Sequence, residues 1–243
     1  MAGFAFWRVH VARPHTGNWL GDPGSSLSLQ WATATCNCME QVHSQLSAIA
    51  KAAANLHSIK TLRQSTDVAE RVLRCTVCFN TSWRPSEASG NVLLLGSLLS
   101  AIATCYSNVF AHQRQQAADS TQAASPIRLF LGHAAEESSL VELSLSGQDY
   151  RRLLGSGFRS EFDRLSNLCQ HFTTRQRRIH ENGHEQCREE VPCKIVPETG
   201  AGGHPANACP KNAGARASFT CLRTAEQVRS VIGDMQKALV SDT

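Results

Sequence analysis

The stretch Val92-Leu93-Leu94-Leu95-Gly96-Ser97-Leu98-Leu99-Ser100-Ala101-Ile102-Ala103-Thr104-Cys105-Tyr106-Ser107-Asn108-Val109-Phe110 is apolar on nearly every side. Wound as an α-helix, it leaves no consistent polar face. Such a helix is stable only when other elements cover it all round. It reads as the central, buried helix of a bundle, running from about Val92 into Gln113. The run is long enough to span a bilayer, but Ser97, Ser100, Thr104, Ser107 and Asn108 dilute it. A core helix is expected and no membrane span. Residues 113–126 are polar and Ala-rich, Pro126 is a stop, and Ile127 to Gly132 reads as a short extended piece.

The flanking segments supply the apolar stripes that such a helix needs. Val42, Leu46, Ile49, Ala53 and Leu56 recur at spacings of three and four from Cys38 onward, in a segment whose alanines favour helix. A second helix is expected to start at Asp67, with Glu70 as its capping-box partner. It buries Val68 and Val72 and ends near Cys75 to Cys78. Trp83-Arg84-Pro85-Ser86 reads as a loop, because proline disfavours helix at the residue before it. Ser146 with Asp149 marks the start of a long helix whose stripe is Tyr150, Leu154, Phe158, Phe162, Leu165, Cys169 and Phe172. A last helix, capped by Thr224 with Gln227, buries Val228, Val231, Ile232, Met235 and Leu239.

The fold class that follows is all-α: an irregular bundle of four to five helices around a central apolar helix. The expected divisions are an irregular, disordered N-terminal tail at 1–33, a helical domain at 34–173, a flexible linker or insertion at 174–218 and a C-terminal helix at 219–243. The tail is punctuated by Pro14, Gly17, Gly21, Pro23 and Gly24. Trp7, Trp19 and Trp31 are unusual in such a tail; either they anchor it to the core or the start of the coding region is misplaced.

Composition narrows the function. At 243 residues with 42% apolar and 6% aromatic residues, the chain can build a core from Leu, Val, Ala and Ile. A formal net charge of +4 is too small to argue for nucleic acid. Ten cysteines would suggest disulfides in a secreted chain, but the start meets Arg8 and His10 before any long apolar run, so a reduced, intracellular protein is expected.

Three constellations invite a chemical reading. Cys75-x-x-Cys78 alone is a weak zinc or redox signal, and Cys36-Asn37-Cys38 is separated from it by an entire helix. The pair is expected to be reduced core thiols holding no metal that the fold requires. His180, His184, Cys187, Cys193, His204 and Cys209 are loosely spaced in a Gly- and Pro-rich tract that reads as a solvated linker. Arg175, Arg177 and Arg178 can touch phosphates, but at a helix end they also complement the dipole. There is no Gly-x-Ser-x-Gly elbow and no phosphate-cradling glycine loop between strand and helix. No catalytic, cofactor-binding or metal-ligating residue, no cofactor and no small-molecule substrate is therefore expected.

Three blocks together resemble the C-terminal regulatory domain of the aflatoxin regulatory protein family of fungal transcription factors. Thr35-Cys36-Asn37-Cys38-Met39-Glu40-Gln41-Val42 is similar to the family's opening helix. Val72-Leu73-Arg74-Cys75-Thr76-Val77-Cys78 is similar to its cysteine-bearing helix end, followed by a Leu-rich helix that closes on an aromatic, here Tyr106. Leu131-Gly132-His133 leading to Tyr150 through Leu168, with Ser160-Glu161-Phe162-Asp163-Arg164-Leu165, resembles its glycine-containing link into a long amphipathic helix. The resemblance implies a nuclear role in transcriptional control of secondary metabolism. It implies DNA as a partner only through the family. The six closely spaced cysteines of that family's zinc-cluster reader are absent here, so a partner protein or a missing N-terminal cluster would supply the reading. Protein partners are expected. The alternative is an intracellular helical interaction scaffold unrelated to transcription.

Overall fold

In a computed structural model of the chain, the described residues are 36–79, 85–131, 141–182, 184, 186–187, 209, 211 and 219–241. They form five helices and one hairpin: α1 (Cys38–Ala50), α2 (Ser58–Arg74), α3 (Pro85–Gln122), β1 (Ile127–Leu131), β2 (Val141–Leu145), α4 (Gly147–Glu181) and α5 (Thr220–Ser241). The all-α expectation holds, with the hairpin as a small addition. The expectations for 1–33, Trp83 and most of 188–218 lie outside the described residues.

Helix α3 is the shared core. Leu95, Leu98, Leu99, Ile102, Tyr106 and Val109 are buried, and α3 packs against α1, α2, α4 and α5. Among the described residues it is the one helix long and apolar enough to cross a membrane, over Ser89–Gln122. It starts at Pro85, where a proline costs nothing because the first helical N–H has no intrahelical acceptor. It also continues past Gln113 to Gln122, because Gln113 and Ala117 are buried and Gln113 accepts a hydrogen bond from the Tyr150 hydroxyl.

Helices α1 and α2 form an antiparallel pair. Gln41 accepts from Arg71 at 3.0 Å, and Gln45 accepts from Ser65 at 2.9 Å, so the start of α1 lies beside the end of α2. Two expectations are corrected here. Helix α1 stops at Ala50, and Ala53 and Leu56 fall in the exposed connection. Helix α2 starts at Ser58, not at Asp67. The spacing of Asp67 and Glu70 serves a different purpose from a cap: both carboxylates accept from Arg164 of α4, at 2.5 and 2.8 Å.

Helix α4 starts as expected, with Ser146 Oγ accepting from the Asp149 N–H at 3.1 Å. Its whole stripe from Tyr150 to Phe172 is buried. Phe158 and Phe162 meet Tyr106 and Phe110 with ring centroids 5.3 to 6.5 Å apart, three of the four pairs edge-on or nearly so. Glu161 ties three helices at this level. It accepts from Tyr106 at 2.9 Å and pairs with Arg63 of α2 at 2.6 Å. Burial, with the neighbouring Glu161 carboxylate, raises the Tyr106 phenol, which stays a donor. The 173/174 boundary is corrected, because α4 runs on to Glu181. The apolar stripe ends at Phe172, but Thr173 and Gln176 are still buried and Arg175 and His180 contact other segments.

Helix α5 begins at Thr220 rather than Thr224. Thr224 bonds back to the Thr220 carbonyl at 2.9 Å, as mid-helix threonines do. The extended piece at Ile127 is β1. Its partner β2 pairs with it antiparallel, from Ile127 opposite Leu145 to Leu131 opposite Val141.

Gly147, the first residue of α4, sits against the last turns of α3. A Cβ there would overlap the Ala117 carbonyl oxygen and Thr121 Oγ1. Gly147→Ala should therefore lower stability although alanine is the better helix former, whereas Gly157→Ala, with open space around it, should raise it. Leu99→Ala should cost about 3 kcal/mol, the usual range for a fully buried leucine. Urea denaturation followed by circular dichroism reads all three.

Candidate metal centre

The helix hairpin of α1 and α2 brings four cysteines to one end of the bundle. Cys36 precedes α1, Cys38 opens it, Cys75 follows the last residue of α2, and Cys78 lies in the turn beyond. All four sulfurs lie within 4.8 Å of one another. Cys36 Sγ and Cys78 Sγ are 3.1 Å apart, and all four thiols are free. The expectation that an entire helix keeps the two pairs apart is therefore corrected. A helix that leaves and returns antiparallel to its predecessor carries the second pair back to the first.

The segment bearing Cys78 is held from two sides. Asn91 of α3 donates to the Cys78 carbonyl at 2.7 Å. Arg175 of α4 donates to the Phe79 carbonyl at 3.1 Å, and its guanidinium lies 4.1 Å above the buried Phe79 ring. Burial of that guanidinium lowers its proton affinity. Of the three arginines in the basic cluster, only Arg177 and Arg178 are exposed.

Burial raises the Cys78 thiol and pushes Cys38 up to about 11. Burial would raise Cys75 as well, but the backbone N–H groups of Cys78 and Val77 and the thiols of Cys38 and Cys78 donate to its sulfur. Together they lower it to about 7. Cys36 is exposed, Cys38 and Cys75 are half-buried and Cys78 is buried, so the cluster is open to solvent on one side. Soft, anionic sulfur donors in a four-membered set suit a tetrahedral d¹⁰ or iron centre.

A second group assembles where α4 ends. His184 Nδ1 lies 3.6 Å from Cys187 Sγ and 3.7 Å from Cys209 Sγ, and these donor atoms also lie within 4.8 Å of one another. Cys209 is buried. At these three positions the solvated-linker expectation is corrected, since Cys187 and Cys209 both lie beside His184. His180 parts from His184: its Nε2 lies 3.1 Å from Cys221 Sγ, and its ring stacks on Phe219 at 4.3 Å. Cys193 and His204 lie outside the described residues. Cys105 and Cys169 are core residues whose thiols burial raises, Cys169 to about 11.

An open groove of about 690 Å³ runs between α2 and α4, lined by Arg74, Arg164, His171, Arg175 and Arg178 with Glu70. Arg164 is engaged by Asp67 and Glu70, and Arg175 by Phe79, so two of the four cations serve the fold. No family model matches the chain, and neither does any curated protein or solved structure.

Sequence reasoning missed the four-sulfur cluster. The available signal was the pairing of Cys-x-Cys before one amphipathic helix with Cys-x-x-Cys after the next. Arg175→Ala should destabilise the chain by about 1–2 kcal/mol, through a lost stacking contact and a lost charge-assisted hydrogen bond. Arg177→Ala, on the exposed side, should leave stability within about 0.5 kcal/mol. Chemical denaturation of the two variants decides whether the arginine cluster is one surface or two environments.

Proposed function

We propose that this chain is a transcription-regulatory helical domain of the aflatoxin regulatory type. It acts in the nucleus on secondary-metabolite biosynthesis genes, through protein contacts and without catalysing a reaction. The observation that carries this reading is spatial. Among the described residues, the first sequence block of the resemblance packs on the second, and the second on the helix of the third. The first and second contribute two cysteines each to the same sulfur cluster. The third supplies Glu161 and Phe162, which receive Tyr106 at the close of the central helix. Segments far apart in the chain thus form one construction, which is what a domain-level likeness requires.

DNA reading in this proposal belongs to a partner protein or to a zinc cluster outside these residues. Specific readout needs side chains set into a groove by a rigid motif, with phosphate contacts to fix the register. The densest basic cluster gives one of its three arginines to internal packing on Phe79.

Two measurements test the proposal. Fused to a heterologous DNA reader upstream of a reporter, the chain should change output several-fold and concentrate in nuclei. An unchanged reporter with cytoplasmic retention would overturn it. In fluorescence anisotropy at physiological salt, the isolated chain should prefer no promoter element over scrambled DNA by the roughly thousandfold margin at which specific binding begins.

A further inference from the structure

We propose that Cys36, Cys38, Cys75 and Cys78 bind one zinc ion that clamps the start of α1 to the end of α2. The proposal rests on the sulfur cluster and does not depend on the regulatory reading. A tetrahedral zinc with bonds of about 2.3 Å sets its thiolates about 3.8 Å apart. The four sulfurs, all within 4.8 Å of one another, already enclose a space of that size. A multi-iron cluster interposes its own sulfides and spreads its four ligands farther than this.

Two disulfides are the competing use of four cysteines. A disulfide needs its sulfurs at about 2.05 Å and only one partner for each. Here every sulfur has three sulfur neighbours, and Cys36 and Cys78 are 3.1 Å apart. Mutual convergence of all four is the requirement of a shared central cation, not of pairwise bonds. The surroundings fit the same purpose. Asn91 and Arg175 fix the Cys78 turn from two other helices, so the second pair of donors is held before any ion arrives.

Binding replaces the thiol protons: zinc enters, four Zn–S bonds form, and the protons leave to solvent with no change of oxidation state. The ion joins two helix ends that otherwise meet only through side-chain contacts such as Arg71 with Gln41.

The test uses the full chain purified from zinc-supplemented growth. The second donor group is removed by His184→Asn, Cys187→Ser and Cys209→Ser, so that any zinc counted belongs to the first. One zinc per chain is expected by elemental analysis in that background. Adding Cys75→Ser and Cys78→Ser should abolish it, whereas Cys36→His, which replaces the sulfur donor with a nitrogen donor, should retain it. Because a serine variant can fail to fold, the wild-type full chain is also loaded with cobalt(II). A four-thiolate tetrahedral site should then show intense sulfur-to-metal charge-transfer absorption that zinc displaces. Zinc content near zero, zinc unchanged by the Cys75 and Cys78 substitutions, or a Cys36–Cys78 disulfide found by mass mapping of the chain isolated under nitrogen would each overturn the proposal.

Discussion

Helix α3 carries apolar side chains round most of its circumference, and all but an exposed stripe through Leu93, Ser97, Thr104 and Asn108 has to be withheld from water. That single requirement places the other helices. Helices α1 and α2 cover one part of its surface, α4 and α5 another, and each needs only one stripe of Leu, Val, Phe or Ala to do so. The charged group at the edge of this arrangement is the half-buried Glu161. Facing the core, an unpaired carboxylate would be costly; receiving Tyr106 and Arg63 together, it becomes a three-helix junction. Arg164, one turn on, repeats the device toward Asp67 and Glu70. The α2–α4 interface is thus registered by charge, while α3 is registered by shape.

The metal-type cluster follows from the same geometry. Two short helices laid antiparallel on a common core return the chain to its starting level, so residues flanking the hairpin meet whatever their separation in sequence. The cysteines sit at those flanks. Cys78 is buried among the core side chains and Cys38 and Cys75 pack against them, yet with Cys36 all converge on one another, in contrast to Cys105 and Cys169 inside the core.

Much of this was legible in the sequence, and the exceptions share a cause. The stripe of α4 from Tyr150 to Phe172 and its Ser146 cap are local patterns, and both are realised. The burial of α3 is realised only in part, because Leu93, Ser97, Thr104 and Asn108 recur at helical spacing as an exposed stripe. What failed was the assignment of polar residues by spacing alone. Asp67 and Glu70 have the three-residue interval of a capping box, yet that interval also places two carboxylates on one helix face, and Arg164 decides between the two meanings. Thr224 was misread in the same way. The end of α4 was placed too early because its last turns are stabilised by polar partners from distant segments, which no periodicity records. The cysteine cluster was hidden for the complementary reason: its members are distant in the chain and adjacent only after folding.

The anchoring of the Phe79 turn has a consequence in the order of synthesis. Cys36 and Cys78 are separated by 42 positions, but Phe79 waits for Arg175, 96 positions downstream. As the chain emerges, the α1–α2 hairpin can close first through short-range contacts, which form fastest. Helix α3 follows, with two of its four covering helices still unmade. From that moment until α5 has left the ribosome, the most apolar segment of the protein is only partly sheltered. A nascent chain stalled in this interval would present a bare leucine surface, so the vulnerable period of this protein's life falls between the making of α3 and the arrival of α5.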